Sequence, residues 1–111
     1  MFFDETAKTR FFGKCVPVEL RPQLTTLILK YVRAKENNPM RVAELIYQDC
    51  KNRIHEGEKF AAIANIIVNN LRDTAECINY YIKWEQFTPE EKRKIKYSRF
   101  QESEGVVQSG V

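Results

Sequence analysis

Glycine and proline are scarce in this chain, four of each in 111 residues, and where they stand constrains the fold more than any other feature. Pro22, Pro39 and Pro89 each precede a run of apolar residues with helical spacing, and Gly13 and Gly57 each follow one. A protein built from hairpins needs such residues at every turn, whereas a helical protein needs them only at helix ends. The placement therefore predicts an all-α fold.

The elements follow from the apolar period and the capping residues. Asp4 is placed to cap a short helix to Phe12, with Gly13 supplying a left-handed stop. Pro17 and Pro22 keep Cys15 to Arg21 extended or turn-like. A second helix runs from Pro22 to about Glu36, its face made by Leu24, Leu27, Ile28, Tyr31 and Val32. Asn37-Asn38-Pro39 stops it and caps a third, whose line Val42, Ile46, Cys50 and Ile54 is thickened by Ala43 and Leu45 and closed by Gly57.

The segment from Glu58 to Trp84 reads as one long fourth helix. Phe60, Ile63, Ala64, Ile67, Leu71, Ala75, Ile78 and Ile82 form its stripe, and Ile66, Val68, Tyr80 and Tyr81 lie outside it. A helix apolar on more than one side is either central to its own bundle or pressed against a second molecule. Asn65, Asn69 and Asn70 lower helix propensity, so a bend is expected near Asn69. Thr88-Pro89-Glu90-Glu91 is a capping box that starts a last helix through about Phe100. The expected architecture is a single-domain bundle of four to five helices over residues 1–100, with a flexible tail over 101–111 that lacks a periodic face.

Composition narrows the functional classes. The 18 basic and 15 acidic side chains leave a net charge of +3, too balanced to indicate nucleic-acid binding unless the charges are clustered. Cys15, Cys50 and Cys77 are odd in number and widely spaced, which fits neither a disulfide framework nor a zinc site and favours a reducing, cytoplasmic setting. No stretch approaches the roughly 18 apolar residues of a membrane span.

No catalytic constellation emerges. His55, the single histidine, lies in His55-Glu56-Gly57-Glu58-Lys59, where lysine stands in place of the second imidazole of a zinc motif. Its expected role is a cation at a helix end. Phosphate-binding glycine loops and nucleophile motifs are missing, so the chain reads as a non-enzyme without metal or cofactor.

The charges do cluster. Lys92, Arg93, Lys94, Lys96 and Arg99 follow one another without an intervening acid, interleaved with Ile95, Tyr97 and Phe100. Such a run is either a solvated helix face or a set of contacts to phosphates, because it exceeds what the helix dipole rewards. Lys30, Arg33 and Lys35, with Arg41 after the turn, form a second set that joins the first only if the fold brings those ends together.

Size, stacked helices, basic edges and surplus apolar surface together resemble the small helical subunit of CRISPR effector complexes, over about Pro22 to Phe100. The resemblance implies a non-catalytic subunit that packs on neighbouring proteins and supports an RNA or DNA backbone without reading its sequence. The phosphate contacts expected from charge are Lys92, Arg93, Lys94, Lys96 and Arg99, with Lys30, Arg33 and Arg41 behind them. The alternative is a protein-binding adaptor or inhibitor, for example phage-encoded, anchored by Tyr80, Tyr81, Trp84 and Phe87, since large aromatics dominate interface energetics. Burial of the same surface in a homo-oligomer is a third expectation.

Overall fold

A computed structural model describes residues 4–96, and six α-helices carry the fold there: α1 (Thr6–Cys15), α2 (Arg21–Arg33), α3 (Pro39–Asn52), α4 (Glu58–Asn69), α5 (Leu71–Gln86) and α6, described over 89–96. Two single 3₁₀ turns, Val18–Leu20 and Ile54–Glu56, link α1 to α2 and α3 to α4. No strand occurs among the described residues. The expected tail at 101–111, and Arg99 with it, lies outside the described residues.

The helix count exceeds the expected four to five because the long fourth helix is two. At Asn70 (φ −136°, ψ 44°) the backbone leaves helical geometry. The break is held by local hydrogen bonds: the Asn70 N–H and its side-chain Nδ2 both donate to the Ile66 carbonyl, at 3.0 Å each. The Thr74 hydroxyl donates 2.7 Å to the Asn70 carbonyl. The expected bend is thus a full interruption, one residue further along the chain.

Two other helix ends depart from expectation. Gly13 does not stop α1, which continues to Cys15 so that Phe11 and Phe12 stay on a buried helical face. Asp4 accepts from the Thr6 N–H at 2.9 Å and from its hydroxyl, and those bonds hold its carboxyl below the usual range. α2 ends at Arg33, three residues early, in a Schellman motif. The Glu36 N–H donates to the Tyr31 carbonyl and the Lys35 N–H to that of Val32, at 3.3 and 3.1 Å. Lys35 takes the left-handed position at φ 72°, where glycine is usual.

The expected start of α3 is present. The Asn38 side chain accepts from the N–H groups of Met40 and Arg41 at 3.0 and 3.2 Å, with Pro39 at the first helical position. α3 ends at Asn52, so Ile54 falls in the 3₁₀ turn and is exposed, not in the core line expected of it. His55 lies in that same turn, exposed, rather than at a helix end. Gly57 begins α4 at φ 158°, ψ 156°, a conformation almost confined to glycine.

α3 and α5 are the hubs of the bundle. α3 packs on α2, α4 and α5, while α5 packs on α1, α2 and α3. Leu24, Ile28, Val42, Ile46, Ile63 and Ile78 are fully buried at the centre. Tyr80 and Tyr81, outside the apolar stripe, are covered mainly because α1 lies on that side of α5. The two-sided apolar character of this segment is therefore largely satisfied within the chain, although Val68 and Leu71 near the break remain exposed. Asp49 ties α2 to α3: it accepts from Lys30 at 3.1 Å and from the Tyr31 hydroxyl at 2.9 Å. Burial opposes ionisation of Asp49, but these donors prevail and keep its carboxyl below the ordinary range.

Candidate nucleic-acid interface

The basic run is placed by its capping box. The Thr88 N–H donates 2.9 Å to the Glu91 carboxylate, and the Glu91 N–H donates 3.1 Å to the Thr88 hydroxyl. These bonds also hold the Glu91 carboxyl below its usual range. One turn later Ile95 is fully buried, which pins the helix to the bundle and fixes which residues face outward. Arg93, Lys94 and Lys96 are exposed, and Lys92 is half-buried.

α6 then meets the C-terminal end of α5. The ammonium groups of Lys92 and Lys96 lie 5.8 and 6.0 Å from the centre of the Trp84 ring, within reach of a cation–π attraction. Lys92 also approaches one oxygen of Glu85 at 3.6 Å, while Arg33, from the end of α2, approaches the other at 3.4 Å. One carboxylate thus gathers cations from two segments far apart in sequence. Lys35 lies close by, lining the same cleft as Glu85.

The expected contacts divide accordingly. Arg33 of α2 and Lys92 and Lys96 of α6 come together around Glu85 and Trp84, with Arg93 and Lys94 also on α6. Lys94 pairs with Glu90 at 3.6 Å along α6. Lys30 turns instead to Asp49, and Arg41 pairs with Glu44 at 3.2 Å within α3. The pairs exposed on both sides, Lys94–Glu90 and Arg41–Glu44, contribute about 0–1 kcal/mol each, so those cations are readily released, whereas Glu85 is only 19% exposed in side chain and holds Arg33 and Lys92 more firmly. Glu85 itself was not marked by any motif. Its place beside the buried stripe, three residues after Ile82, is the only signal the sequence carries.

The aromatic set is split. Tyr80 and Tyr81 form an edge-to-face pair at 5.3 Å and are each only 8% exposed, with Lys8 over both rings. Burial pushes the Tyr81 hydroxyl up to about 12. They are core residues here, which removes two of the four anchors expected of an adaptor. Trp84 and Phe87 are half-buried and meet edge to face at 6.4 Å. Among the described residues no group of three His, Cys, Asp or Glu side chains is gathered as metal ligands would be, and no helix is long and apolar enough to cross a membrane.

The chain matches no family model, no curated protein and no solved structure.

Proposed function

We propose that the chain is a non-catalytic helical subunit that holds a nucleic-acid backbone along the edge formed by α6 and the end of α2, within a ribonucleoprotein assembly of the CRISPR small-subunit kind. The observation that carries this reading is the meeting of Arg33 and Lys92 at Glu85, which joins the two basic sets into one edge. Side chains on a helix pinned by Ile95 are presented in a fixed array, and an array of cations bound to phosphates releases counterions. The adaptor reading is less favoured because Tyr80 and Tyr81 are interior.

Salt titration tests it. Replacing Lys92, Arg93, Lys94 and Lys96 by Gln should leave helicity intact, weaken binding to single strands, and reduce the slope of log affinity against log salt by up to about 0.7 per lost contact. Arg33→Gln should act in the same direction. Arg72, 92% exposed in side chain at the opposite end of α5, lies roughly 20 Å from Glu85 at 1.5 Å rise per residue, and Arg72→Gln should change little. An unchanged slope in the quadruple variant would end the phosphate role, and affinity for a protein partner would become the quantity to measure.

A further inference from the structure

Between the ends of α2 and α5 lies a cleft of about 430 Å³, lined by Val32, Lys35, Glu36, Asn37, Ile82, Glu85 and Gln86. Its size falls within the range of small-molecule sites. The apolar part of its wall is Val32 and Ile82, each 6% exposed. Its polar part holds two carboxylates and two side-chain amides against one ammonium. A phosphate is poorly suited to such a lining, because Glu36 and Glu85 would repel it. A neutral planar ring with amino groups on its edge is well suited, since carboxylates accept from amines and each amide offers both a donor and an acceptor.

The cleft adjoins the basic edge through Glu85, whose oxygens face Arg33 and Lys92. Lys35 adds a second, independent feature at the same place. A lysine occupies the left-handed position that glycine fills without steric cost, and its side chain borders the cleft.

We infer that this cleft receives one unstacked nucleobase of a single strand, with preference for a base bearing an exocyclic amine, while Arg33, Lys35 and Lys92 hold the flanking phosphates. The inference rests on the backbone-binding reading above and names its substrate as single-stranded and amine-bearing. Bases enter such pockets only when unpaired, which is how most sequence preference for RNA arises. Cytosine presents its amine to the carboxylates. Uracil, with a carbonyl oxygen at that position, sets oxygen against oxygen.

The test is fluorescence anisotropy of the full chain with equal-length oligocytidine and oligouridine at low salt. Oligocytidine should bind about tenfold more tightly, the discrimination typical of a good pairing to a base edge. Glu36→Gln together with Asn37→Ala removes a carboxylate from the cleft without touching the cations at Glu85, and should bring the ratio toward one while the salt slope stays as in the wild type. Equal affinities with a normal salt slope would overturn the base cleft and leave the backbone reading standing. A preference that survives in the double variant would overturn this location for it. Absence of salt-dependent binding to either strand would overturn both readings.

Discussion

Lys35 shows how a locally unfavourable conformation can be accommodated within a packed fold. A left-handed residue other than glycine brings Cβ against the following carbonyl and costs roughly 1–2 kcal/mol. The two Schellman hydrogen bonds hold the conformation in place. Lys35→Gly should therefore stabilise the chain by about 0.5–1 kcal/mol, the greater backbone freedom of unfolded glycine offsetting part of the gain. The measurement is the urea midpoint at constant slope. The same variant should bind single strands less tightly, having lost an ammonium at the cleft. A variant that is neither more stable nor weaker in binding would mean that position 35 is a conformational accident. Nothing in the sequence marks Lys35 for this position, because Ala34, Lys35 and Glu36 are all good helix formers and the end of α2 is decided by where the bundle needs the chain to turn toward α3.

At the scale of elements, α6 depends on its first turn. The capping box fixes its start, and the buried Ile95 holds it to the bundle. Thr88→Ala removes one half of the capping box and should cost about 1 kcal/mol. Amide exchange should then quicken about fivefold, the factor corresponding to that energy, over residues 91–96, with α3 unaffected. Equal protection in both forms would show that packing alone holds the helix. Caps of this kind are legible in a sequence because every partner lies within four positions, as at Asn38 and Thr88. The break at Asn70 is only half legible: three asparagines announce weakness, but which carbonyl is recaptured depends on geometry. Gly13 misleads for the opposite reason, since the burial of Phe11 and Phe12 on one side of α1 outweighs a preference for stopping. The pairing of Arg33 with Glu85 spans 52 residues, and no local pattern foretells it. The clustered charge of α6 was visible in the sequence; the cleft beside it was not.

For the molecule as a whole, the buried thiols report cooperativity. Burial pushes Cys50 up to about 11 and Cys77 up to about 12, so neither offers appreciable thiolate near neutral pH. Cys15 is half-buried at the end of α1. A disulfide reagent at mildly alkaline pH should modify Cys15 first, and Cys15→Ser should leave a chain that reacts only as fast as it opens. Rapid modification of Cys50 or Cys77 in that variant would reveal a looser core than the packing implies. The contact of α1 with α5 has a further consequence, for the order in which the chain is made. Arg10 of α1 finds Glu76 of α5 across 66 residues, at 2.9 Å. At roughly 5–20 residues per second, a ribosome takes about 3–13 s to add the intervening length. For that interval Phe11 and Phe12 have left the tunnel, or are leaving it, without the helix that covers them. Such a nascent segment suits a chaperone that waits at the exit, since α1 is made well before the helix that secures it.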